Sequence, residues 1–181
     1  MIQVLFILEA DKKVLQHLLL YIDAIIFFDQ KNVQLIVQRS RELDRDMLQF
    51  CWGILALKHA VYTSMVTNCV ARIQSCILAD FGSKAEKEQA EQLLKHLVSS
   101  FKKNKDEFSD YILVNCFNQL LLVEGMSAFF IQLDGVELLM DLMRKNEKKL
   151  QIMYQIMLCF WIVSFEPQFM RFAREPRHRI I

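Results

Sequence analysis

An all-α fold is predicted by three observations. Only 4 Gly and 2 Pro punctuate the 181 residues, apolar side chains recur at three- and four-residue steps, and 54% of residues are hydrophobic against 24% charged. A β-sandwich or barrel needs a turn roughly every 8 to 12 residues and draws on Gly and Pro to make it, so the first observation argues for long helices with short connections. The second is the signature of one apolar helix face. The third supplies enough apolar material for a core and rules out intrinsic disorder. The length fits one domain, and 22 Lys plus Arg against 21 Asp plus Glu give no electrostatic reason to expect nucleic acid.

Residues 1–10, MIQVLFILEA, are followed rather than preceded by charge, in Asp11, Lys12 and Lys13, and show no small-residue cleavage site; they do not read as a secretory signal. From Val14 the positions Val14, Leu15, Leu18, Leu19, Ile22, Ile25 and Ile26 trace a helix face. Its most apolar part, LLLYIDAIIFF, is 11 residues and contains Asp23, too short for the roughly 20 apolar residues of a membrane span. The same period predicts helices over Met47–Leu57, Tyr62–Leu78, Ala85–Phe101, Phe108–Val123, Val136–Met143 and Leu150–Phe165. The charged runs 102–107 and 145–149 lie between them and read as solvated loops and helix ends. Asp44 and Asp46, flanked by Arg41 and Arg45, read as a charged helix start. Gly82 closes the run ending at Phe81, Asp134-Gly135 opens a helix with Asp134 as its N-cap, and Pro167 follows Phe165 and Glu166 as an exit.

The chain also resembles itself. Shifted by 40 residues, Cys116–Val123 falls on Ile156–Val163 and Phe129 on Phe169, each an apolar helix followed by a break and a short aromatic helix; shifted by 47, Asn68-Cys69 falls on Asn115-Cys116. Periods of roughly 40 to 47 residues built from two or three helices belong to armadillo and HEAT repeats, which bury by stacking an apolar face too wide for one helix pair. The predicted architecture is therefore an armadillo/HEAT-like right-handed helical solenoid over residues 1–173, followed by a basic tail at 174–181. A compact helical bundle is the alternative, because likeness between two amphipathic helices is cheap.

No catalytic, cofactor or metal site is predicted. Neither G-x-x-x-x-G-K-[ST] nor G-x-G-x-x-G occurs, so no phosphate loop is seen. His17, His59, His96 and His178 lie on separate segments without zinc-ligand spacing and read as surface or core-edge residues. Cys51, Asp46 and His59 are near in sequence but do not define a triad. Cys51, Cys69, Cys76, Cys116 and Cys159, all in apolar segments and without a C-x-x-C pair, read as buried free thiols of a reducing, cytosolic compartment. Arg171, Arg174, Arg177, His178 and Arg179 read either as an anion-binding or membrane-surface tail or as an ordinary charged terminus.

One segment is more specific. Between Ala128 and Met170, the residues Phe130, Asp134, Gly135, Val136, Gln151, Tyr154, Gln155, Phe160, Trp161, Phe165 and Pro167 form an aromatic-x-x-x-Asp-Gly-hydrophobic turn, a charged loop, a Tyr-Gln helix with a tryptophan, and a Phe-x-Pro exit. This pattern resembles the H subunit of the vacuolar-type proton-pumping ATPase (V-ATPase). The family's Leu-Gln-Tyr-Gln is stretched here to Leu150-Gln151-Ile152-Met153-Tyr154-Gln155. Weaker likeness extends to Ile25–Asp29 and Tyr111–Val123, and the last eight residues depart from the family. The resemblance spans most of the chain and maps onto an inner part of the family's N-terminal domain; nothing in it corresponds to the family's C-terminal domain.

The resemblance implies a non-catalytic regulatory or stator subunit. Such a subunit sits on the cytosolic face of vacuolar or endolysosomal membranes, contacts the E and G subunits of the peripheral stalk and the soluble catalytic sector, and couples ATP hydrolysis to proton transport. It implies no cofactor and no membrane span of its own. The competing expectation is a general armadillo/HEAT scaffold for trafficking or signalling peptides, which would need a ladder of Asn and Trp; only Asn68, Asn115 and Trp161 offer themselves.

Overall fold

The computed structural model describes residues 12–29, 31–43, 46–56, 64–80, 84–103 and 108–174, and all secondary structure among them is helical. The helices are α1 Lys12–Phe28, α2 Lys31–Glu42, α3 Met47–Ala56, α4 Ser64–Asp80, α5 Lys84–Lys102, α6 Asp110–Leu120, α7 Met126–Gln132, α8 Gly135–Lys145, α9 Leu150–Val163 and α10 Pro167–Arg174. The all-α expectation holds. Residues 1–10, Asp44, Arg45, His59, Phe81, Gly82 and the tail beyond Arg174 lie outside the described residues.

Polar punctuation sets several boundaries. Asp46 Oδ1 accepts from the Leu48 and Gln49 amides at 2.8 and 3.3 Å, capping α3 as its charged start predicts. Ser109, in extended conformation, accepts through Oγ from the Ile112 amide at the start of α6. Pro167 is the first residue of α10, where a missing N–H costs nothing, so it begins a helix as well as marking the preceding exit. Asp134 occupies the N-cap position of α8, but its side chain makes no capping bond, correcting the expected cap. That carboxylate instead takes a 2.7 Å ion pair from Lys102 Nζ, which also donates to the Leu133 carbonyl.

One helix falls where the sequence reading places none. Helix α2 is mostly polar, yet Val33, Ile36, Val37 and Ser40 are buried at the spacing of a helix face. Asp29 Oδ1 accepts from the Lys31 amide at its entrance.

The core runs along four helices. Helix α4 packs against both α1 and α6, and α6 packs against both α4 and α9. Leu15, Leu19 and Ile22 of α1, Val70, Ile73 and Ile77 of α4, Val114, Phe117 and Leu120 of α6, and Ile156, Cys159 and Val163 of α9 are essentially inaccessible. Helices α2, α3 and α5 pack on α4; α7 and α8 pack on α9; α10 rests on α7. Both shifts align, in sequence, helices of this series that touch, and Cys69, Cys116 and Ile156 are all buried. Phe129 and Phe169, also paired by the shift, lie partly buried in the short helices α7 and α10.

Candidate interaction surface

Helix α9 is apolar on two sides. Ile152, Ile156, Cys159 and Val163 face the core. Leu150, Tyr154, Met157 and Trp161, with Phe165 just beyond the helix, recur at the same three- and four-residue steps and are exposed. Trp161 and Phe165 meet edge to face with ring centroids 5.4 Å apart. A helix apolar on both sides is usually enclosed, so a continuous exposed stripe marks a surface built to be covered.

The inner side of α9 is pinned to α6 by polar contacts. Asn118 Nδ2 donates to both the backbone and the side-chain oxygen of Gln155, and the Cys159 thiol donates to Asn118 Oδ1 at 2.9 Å. Gln155, one of the residues carrying the family pattern, therefore holds α9 in place, whereas its neighbour Tyr154 points away. At the other end, Arg72 of α4 forms a two-pronged ion pair with Asp23 of α1, both side chains largely buried. Burial opposes the guanidinium charge, but the hydrogen bond and charge of Asp23 outweigh it and raise the Arg72 pKa. Asp110 bridges α6 to the end of α8 by accepting from Lys145 Nζ and Asn146 Nδ2.

Among the described residues, the remaining polar groups do not converge on a reactive centre. Burial, reinforced by the Asp46 charge, pushes the Cys51 thiol from 9.0 to about 12. Burial likewise raises Cys69 and Cys116 to about 12 and Cys76 to about 11, and drives Cys159 upward. All five cysteines are free and buried, and these are inert rather than activated thiols. His17 Nδ1 donates to the Lys13 carbonyl within its own helix, and the His96 ring meets Phe108 edge-on. No three His, Cys, Asp or Glu side chains gather as a metal site among the described residues, and no described helix is long and apolar enough to cross a membrane. A shallow hollow of about 250 Å³ lies between α5 and α8, lined by Phe101, Lys102, Asp134, Glu137, Leu138 and Asp141; its lysine is the one engaged by Asp134. Asn68, a candidate for a peptide-gripping ladder, is used internally, accepting from the Ser109 amide at 3.2 Å.

The family model for the H subunit of the V-ATPase matches residues 2–181. The chain belongs to the V-ATPase H-subunit family. Among curated relatives, the V-type proton ATPase H subunit of Drosophila melanogaster is 21% identical over 153 residues, covering 84% of this chain and 31% of the relative. The probable V-type proton ATPase H subunit of Oryza sativa subsp. japonica is 35% identical over 54 residues, or 29% of this chain and 12% of the relative. The chain thus spans less than a third of the length of these relatives. No solved structure matches it. Within this member of the V-ATPase H-subunit family, the residues of the resemblance divide by role: Phe130, Gly135 and Val136 are buried, Gln155 tethers α9, and Tyr154, Trp161 and Phe165 are exposed. The helical period places all of these on helices or their ends but does not separate the buried from the exposed.

Proposed function

We propose that this chain forms part of a non-catalytic subunit of the V-type proton ATPase. Its helices would constitute a section of an armadillo/HEAT-like right-handed solenoid with the basic residues 174–181 as a tail. The protein would work on the cytosolic face of vacuolar or endolysosomal membranes, against the E and G subunits of the peripheral stalk and the soluble catalytic sector, to keep ATP hydrolysis coupled to proton transport. The observation that carries this reading is the family match across residues 2–181. The packed series α1, α4, α6 and α9 supports it, because a stack of helices whose members are pinned by ion pairs and buried amides resists bending and can transmit stator load.

The role is mechanical, so no side chain is assigned a step in bond making. Affinity purification of the tagged chain from cells, with mass spectrometry of what accompanies it, tests the reading. Stalk and catalytic-sector subunits of the pump should be recovered, and proton pumping per ATP hydrolysed should fall when the chain is depleted. Recovery of unrelated trafficking or signalling proteins alone would establish the scaffold reading in its place.

A further inference from the structure

We draw no further inference here: the strongest candidate, the exposed apolar stripe of Tyr154, Met157 and Trp161 on the outer face of α9, carries nothing, because nothing in the structure shows what covers it.

Discussion

Gly135 lies so close to the ring of Phe130 that a β-carbon on it would sit 2.5 Å from three ring atoms. Phe130 is fully buried and packs on Phe117 of α6 with centroids 5.1 Å apart, so the ring has little room to yield. The Asp-Gly pair thus divides two tasks. Asp134 takes the left-handed backbone, at φ 58°, that turns the chain, and Gly135 gives the clearance by which α8 closes onto α7. A small residue is needed here for approach rather than for a tight turn.

Gly135→Ala should lower stability by about 1–3 kcal/mol, the usual cost of overpacking, although alanine is the better helix former. Thermal melts of Gly135→Ala, Phe130→Leu and the double variant form a cycle. A coupling of about 1 kcal/mol or more is expected, because shrinking the ring relieves the clash; strictly additive effects would refute this packing account.

Asp23→Ala should cost about 3–5 kcal/mol, since it strands the largely buried Arg72 guanidinium. Denaturant titration reads this directly. The paired change Asp23→Leu with Arg72→Met should recover much of the loss, because it removes both desolvated charges together.

Gln74 is fully buried on α4, and neither its side-chain oxygen nor its nitrogen finds a partner among the described residues. Gln74→Met keeps the length and removes the unsatisfied amide, so it should raise stability by about 1–3 kcal/mol. An unchanged or lower midpoint in chemical denaturation would contradict that expectation.

Stability should fall steeply in alkali. The Cys51 and Cys116 thiols titrate near 9.0 when unconstrained and at about 12 in the fold, with burial the leading cause. The native state therefore retains protons that the unfolded chain releases. The stability is complete below pH 9.0 and is lost as pH rises toward about 12, at roughly 1.4 kcal/mol per pH unit for each such thiol. Melting curves across this window should flatten in slope when Cys51 is replaced by Ala, and thiol reagents at neutral pH should react only as fast as the chain opens.

Much of this molecule is legible in its sequence because helices announce themselves locally. The three- and four-residue period locates most of them, and Asp46 marks a start through bonds made inside one turn; that Ser109 caps a helix and that Pro167 begins one as well as marking an exit came from the structure. The cysteines read as buried because their neighbours are apolar, and the Asp-Gly turn and Tyr-Gln helix point to the V-ATPase family. Helix α2 escapes the pattern because its polar residues hide the short face of Val33, Ile36 and Val37.

The period cannot say which side of α9 is inside. Ile156, Cys159 and Val163 form one apolar face, and Tyr154, Met157 and Trp161 form another with the same spacing. Only α6, α7 and α8, packed on the first, make it core and leave the second open. Nor can local pattern reveal that Asp23 answers Arg72 across 49 residues, or that Gly135 is required by a ring rather than by its own backbone. The sequence determined the helices, since their hydrogen bonds and periodicity are satisfied within a few residues. The tertiary structure decided burial, pairing and clearance, since these depend on which distant surfaces meet.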